Sequence, residues 1–152
     1  MRGKSTGFVL TYGTFDLFHI GHLELLRRLR QLGTELYVGV STDEFNDMKG
    51  KKCITPFQDR LEIVRAIRYV SHAFPEMNWD QKRDDIERYS ISTFAMGDDW
   101  IGKFDDLQDV CNVVYLPRTP LISTTDIKNR VRGIDDDLRL KLVEILGIAY
   151  KK

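Results

Sequence analysis

The feature that most constrains this fold is an alternation. Short apolar runs at residues 8–12, 36–40, 69–74, 92–96 and 113–116 read as strands, and helical patterns fall between them. Leu23, Leu26 and Leu29, with Leu25 and Leu32, make an apolar stripe that Gly33 stops. Thr55-Pro56-Phe57-Gln58 predicts a helix start, with Thr55 as N-cap, Pro56 as first helical residue and Gln58 as capping-box partner. Leu61, Ile63, Val64 and Ile67 then form its buried face. Pro75 closes the third strand, and Asn78 caps a helix running to about Tyr89. Ser123 or Thr124 starts another helix, through Val131, and Leu138, Leu142, Ile145, Leu146 and Ala149 give a last amphipathic one. Residues 41–53 read as a polar loop dense in lysine. Strands alternating with helices predict one α/β domain: a parallel five-stranded sheet, helices on both faces, right-handed crossovers.

Sheets of this kind bind ligands beyond the carboxyl ends of their strands. The polar motifs obey that rule. Thr14 to His22 follow the first strand, Lys49, Lys51 and Lys52 the second, Asp98 and Asp99 the fourth, and Arg118 to Thr125 the fifth. The predicted site therefore draws on segments far apart in sequence.

His19-Ile20-Gly21-His22 is the densest of these motifs, holding two of the chain's three histidines. A helix beginning near Gly21 would aim its free N–H groups and partial positive charge at the strand end, where a phosphate binds readily. Gly21 would let a ligand approach the backbone. Histidines one helical turn apart can present ring N–H groups to one place, which suits charge building on phosphoryl oxygens. Two structural histidines at a turn, or a metal pair with Asp16, fit the same residues. Ser123-Thr124-Thr125 at a helix start makes a second anion cradle, unless one hydroxyl simply caps. Arg118 can fork onto two phosphate oxygens. Lys49-Gly50-Lys51-Lys52 is either a solvated charged loop or a segment that closes over phosphorylated substrates. Asp99 could hold a ribose hydroxyl, a base amine or a divalent ion, or cap a turn. Trp79 and Trp100 read as core or dimer residues, and His72 as structural or exposed.

Charge narrows the partners. Lysine plus arginine balance aspartate plus glutamate over the 152 residues, so nothing marks a nucleic-acid binder. Cys53 and Cys111 stand in no metal-like spacing, and no secretory pattern or membrane-length apolar run is present. The expectation is a cytoplasmic protein with free thiols, no membrane partner and no protein-held metal. No G-x-G-x-x-G follows the first strand, which argues against a dinucleotide oxidoreductase.

Taken in order, Tyr12-Gly13-Thr14-Phe15-Asp16, His19-Ile20-Gly21-His22, Ser41-Thr42-Asp43-Glu44-Phe45-Asn46, Asn78-Trp79, Met96-Gly97-Asp98-Asp99-Trp100, Gly102-Lys103-Phe104, Val114 to Thr119 and Ile122-Ser123-Thr124-Thr125 resemble the HxGH nucleotidyltransferase superfamily, within it the glycerol-3-phosphate cytidylyltransferases. The resemblance covers roughly residues 8–132. It implies a single-domain Rossmann-like fold, with residues 1–133 catalytic and 134–152 a helical extension of the same domain. It implies transfer from CTP to glycerol 3-phosphate, Mg²⁺ carried by the triphosphate, a homodimer, and a supply of CDP-glycerol for teichoic acid or a related surface polymer. By the same resemblance Thr14 and Phe15 contact the nucleotide, joining Gly21 and Asp99 as candidate CTP contacts, and His19 and His22 bind its phosphates and stabilise the transition state. Arg118 with Ser123, Thr124 and Thr125 holds the triphosphate, and Lys49 lies near the phosphates. Lys51 and Lys82 face the glycerol phosphate, with Arg60 and Arg68 near the site. The chain departs from the family pattern at Ser71, where an acidic residue is usual, and at Pro120-Leu121. It also runs about twenty residues further, and that last helix is expected to pack on its own domain or on a dimer partner. Another alcohol phosphate, such as phosphoethanolamine or phosphocholine, or a non-catalytic CTP-binding module, are the alternatives.

Overall fold

A computed structural model describes residues 6–118, 120 and 122–146. The strands are β1 (Phe8–Gly13), β2 (Glu35–Ser41), β3 (His72–Glu76), β4 (Ile91–Gly97) and β5 (Asn112–Leu116). The helices are α1 (Ile20–Arg30), α2 (Asp43–Met48), α3 (Phe57–Arg65), α4 (Gln81–Arg88) and α5 (Thr124–Leu146). All strand pairs are parallel, in the order β3-β2-β1-β4-β5. Chain direction across the sheet reverses between β1 and β4, which opens a crevice at their carboxyl ends.

Alternation along β1 sends Val9 to one face and Leu10 and Tyr12 to the other. The first face packs against Leu26 and Leu29 of α1 and Leu61 and Val64 of α3. The second packs against Ile86 of α4 and against Phe104 and Leu107, beside a short 3-10 turn at Asp105–Asp109. Both faces are covered, as the continuous apolar runs require.

Several elements differ from expectation. The expected polar loop contains α2, capped by Thr42, whose hydroxyl accepts the Phe45 N–H at 3.2 Å. Pro56, not Thr55, is the N-cap of α3 and makes no side-chain cap bond. β3 begins at His72 and runs through Pro75 to Glu76, because β3 is an edge strand and tolerates a residue without an N–H there. Ser71 stands just before it, pinning register: its N–H donates to the Leu36 carbonyl, and its hydroxyl accepts the Leu36 N–H. The two expected C-terminal helices are one, because Gly133 lies inside α5 without breaking it. Val131, Ile134 and Leu138 on that helix are exposed. Ala149, Thr119 and Leu121 lie outside the described residues.

Candidate active site

The turn after β1 is strained and anchored. Phe15 and Leu17 take positive φ of 56° and 48°, a backbone state that costs energy outside glycine. Asp16 holds it in place. Its buried carboxylate accepts the Ile54 and Thr55 N–H groups and meets Lys128 Nζ at 3.2 Å. Burial alone would raise this carboxyl; the Thr55 and Ile54 N–H groups and Lys128 outweigh it and hold the carboxyl below its ordinary range. Asp16 is thus committed to the 54–55 backbone and to Lys128. Among the described residues, no three His, Cys, Asp or Glu side chains gather as a metal cage.

The histidines then start α1 by capping each other. His19 is the N-cap, and its Nδ1 accepts the Gly21 N–H at 3.0 Å. His22 Nδ1 accepts the His19 N–H at 3.2 Å, which completes a capping box. With both Nδ1 atoms accepting, a neutral ring carries its proton on Nε2, which on His19 lies 3.4 Å from the Thr124 hydroxyl. Burial lowers the His22 imidazole to about 4, with a further push from His19, whose ring centroid lies 3.9 Å away. Burial also lowers His19, against an opposing pull from Asp126. Both rings are therefore neutral donors near neutral pH. Gly21 also meets a packing need: a Cβ there would meet His19 Cε1 at 2.7 Å and the Ile122 carbonyl at 2.8 Å, so the glycine admits the segment that leads into α5 while bordering the crevice.

The start of α5 docks on this turn. Thr124 donates to the Asp16 carbonyl at 3.0 Å and lies 3.4 Å from His19 Nε2. Ser123 is tied to Asp126, its hydroxyl donating to the carboxylate at 2.7 Å and accepting the Asp126 N–H at 3.1 Å. One hydroxyl of the three therefore caps the helix, and Thr124 and Thr125 border the crevice.

Two cavities meet here. The larger, about 540 Å³, is lined by Thr14, Phe15, Lys49, Lys51, Lys82, Glu76 and Trp79, among others. The smaller, about 360 Å³, is lined by His19, Gly21, Asp98, Asp99, Arg118 and Ser123, among others. They share Tyr12, His22, Trp100, Thr124 and Thr125, with Leu25 and Met96, as a common wall. Lys49 Nζ lies 3.3 Å from the Ser41 hydroxyl and 4.1 Å from the Phe45 ring centroid. Burial lowers its ammonium, Glu76 pulls it back up, and Lys51 and Lys82 lower it further. Phe15 is buried, and its ring packs on Phe18 and His22 as a floor beneath the histidines.

Two arginines expected near the site are not in either cavity. Arg60 is buried beneath it, its guanidinium donating to the carbonyls of Thr14, Ser41 and Thr55 and to Asp43. It ties the ends of β1 and β2 to α3. Arg68 is exposed beside Arg30, Gly33 and Thr34, at the amino-terminal edge of β2 and so at the far end of the sheet. Conversely, Glu76, Trp79 and Trp100 line the larger cavity, although pattern alone assigned the tryptophans to a core or dimer contact and Glu76 to nothing. Glu76 sits at the carboxyl end of β3, where the strand-end rule would have found it had Pro75 not been read as the strand's close.

This is the strand-end site of a parallel nucleotide-binding sheet, and the family follows. Residues 10–130 match the cytidylyltransferase-like family, to which the chain belongs. It is 56% identical over 126 residues to the glycerol-3-phosphate cytidylyltransferase of Bacillus subtilis strain 168, covering 83% of this chain and 98% of that one. It is 51% identical over 127 residues to the enzyme of the same name from Staphylococcus aureus, covering 84% and 96%. A lipopolysaccharide core biosynthesis protein from Thermoplasma volcanium shares the fold, with a TM-score of 0.67 at 24% identity over 74% of this chain and 97% of that one.

Proposed function

We propose that the chain transfers a cytidylyl group from CTP to sn-glycerol 3-phosphate, giving CDP-glycerol and pyrophosphate. The observation that carries this reading is the pair of cavities meeting at His22, Thr124 and Thr125, one rich in lysine and the other in phosphate donors. CTP occupies the smaller cavity, its triphosphate held by Arg118, Ser123, Thr124, Thr125 and the α1 amino terminus and its nucleoside near Asp99, with Thr14 reaching it across the common wall from the larger cavity. Magnesium enters as part of the substrate, on triphosphate oxygens, which need few protein ligands. Glycerol 3-phosphate occupies the larger cavity, with its phosphate facing Lys49 and Lys51.

A phosphate oxygen of glycerol 3-phosphate attacks the α-phosphorus, a new P–O bond forms, and the bond to the β-phosphate oxygen breaks in line. The attacking phosphomonoester has a second pKa of ~6 and arrives deprotonated, so no general base is required. The protein positions two anions and meets the charge that develops. His19 and His22 do so through Nε2–H as neutral donors, and Lys49 and Arg118 as cations. Residues 1–133 form the catalytic unit and 134–152 its extension. A homodimer would cover the exposed Ile134 and Leu138 of α5. No helix among the described residues is long and apolar enough to cross a membrane. The cytoplasm, where CTP is available, is the proposed compartment, and CDP-glycerol for teichoic acid or a related polymer the proposed use.

The test is pyrophosphate release from CTP and Mg²⁺ with and without glycerol 3-phosphate, beside ATP. Release that needs both CTP and glycerol 3-phosphate is expected. Tight CTP binding without release from any alcohol phosphate would make this a binding module instead.

A further inference from the structure

Within the larger cavity, Lys82 and Glu76 are 4% and 3% exposed, and their Nζ and Oε1 atoms lie 2.8 Å apart. Three rings surround that ammonium, with centroids at 4.5 Å for Tyr12, 4.9 Å for Trp79 and 5.7 Å for Phe104. Aromatic faces around a cation, backed by a buried carboxylate, form the arrangement that recognises alkylammonium ligands. Here the guest is the chain's own lysine. The cage is firmly built: Tyr12 donates to Asp85 at 2.6 Å, and Ser41 donates to Glu76 at 2.6 Å.

We propose that Lys82 occupies an alkylammonium cage from within and thereby selects the alcohol. This rests on the cytidylyl-transfer reading. An ammonium has three N–H donors and no acceptor. Lys82 spends one donor on Glu76 and, lining the cavity, offers others to the hydroxyls of a polyol phosphate. The cationic head of phosphocholine or phosphoethanolamine would have to share the cage with a like charge already paired to Glu76. Lys49, 5.5 Å from the Trp79 ring centroid, adds a second like charge. Rejection of the wrong alcohol is thus built in as repulsion. Removing the Lys82 ammonium would leave a carboxylate among three aromatic faces, a vacant site for a substrate cation.

The full chain is assayed for pyrophosphate release from CTP with glycerol 3-phosphate, phosphoethanolamine and phosphocholine. Wild type should prefer glycerol 3-phosphate in kcat/KM by at least about 10²-fold. Lys82→Ala should lose activity with glycerol 3-phosphate and gain it with phosphocholine, moving the ratio by at least about 10²-fold. Lys82→Ala with Glu76→Gln should lose most of that gain. Tetramethylammonium chloride should raise the Tm of Lys82→Ala, or restore its folding, more than equal sodium chloride does, and should leave wild type unmoved. Equal use of phosphocholine by wild type would overturn the proposal. So would a Lys82→Ala variant that loses all alcohols alike and ignores tetramethylammonium, since that is what a purely structural ion pair would give. A wild type inactive with every alcohol phosphate would instead sink the transferase reading, and the tetramethylammonium comparison would still decide the cage.

Discussion

The two cavities differ in how far folding has finished them. In the larger, Tyr12, Ser41, Glu76 and Lys82 are buried and hydrogen-bonded, Tyr12 to Asp85 behind it and Ser41 and Lys82 to Glu76. In the smaller, Asp99, Arg118 and Thr125 are exposed, and Ser123 is turned to its own helix cap. The first is a mould set when the chain folds. The second is a set of donors at the surface that a triphosphate would gather. Substitutions beneath the first should chiefly cost stability and alcohol preference, whereas substitutions around the second should chiefly cost rate or nucleotide affinity, with smaller losses of stability where a helix cap is removed.

The largest effect should come from the support beneath the larger cavity. Arg60→Ala strips a buried guanidinium from three carbonyls and Asp43, and should lower unfolding stability by about 3–5 kcal/mol in urea melts. A loss below about 1 kcal/mol would mean that water replaces it readily and that the mould is softer than described.

Next are the two histidines, His22 on the common wall and His19 beside it in the smaller cavity. His19→Ala and His22→Ala should each lower kcat by roughly 10²–10³-fold while CTP binding is partly kept. Wild-type turnover in either would remove the donor role.

Acidification gives a smaller effect of definite sign. His22 titrates at about 4 in the fold, below its ordinary 6.5. Its stabilising contribution is complete above that ordinary value and declines as pH falls toward 4, by at most about 1.4 kcal/mol per pH unit. Unfolding midpoints should therefore drop between pH 6.5 and 5, above the range where carboxylates contribute, and His22→Gln should flatten that drop. An equal slope in the variant would assign it elsewhere.

The smallest effect belongs to the open cavity. Ser123→Ala removes one helix cap and should cost about 1 kcal/mol of stability, with kcat for saturating CTP nearly unchanged. A large fall in kcat would show that the Ser123 hydroxyl leaves Asp126 for the nucleotide.

Much of this was legible before the structure. Alternating apolar runs gave a parallel sheet, and the strand-end rule brought His19, Lys49, Asp99 and Arg118 to one edge. What stayed hidden was hidden for physical reasons. α2 is six residues long, too short for periodicity to show, although Thr42-Asp43-Glu44 carries the cap and the acidic first turn. Glu76 was lost behind Pro75, since a proline in an edge strand reads as a terminator. Arg60 looks like any helix arginine, because the carbonyls it serves belong to the turn after β1, to β2 and to the turn before α3. Lys82 was placed with the alcohol by resemblance alone. Only the folded chain shows which rings surround it.

The reciprocal capping by His19 and His22 carries an evolutionary consequence. The residues assigned to the chemistry also begin the first helix, so most single substitutions there would penalise folding together with activity. A lineage drifting toward an inactive homologue has narrow exits through this motif: replacements such as Ser, Asp or Asn at 19 and Glu or Gln at 22 can still cap a helix. A relative with such residues at these positions would be a chain that kept its architecture after giving up its reaction.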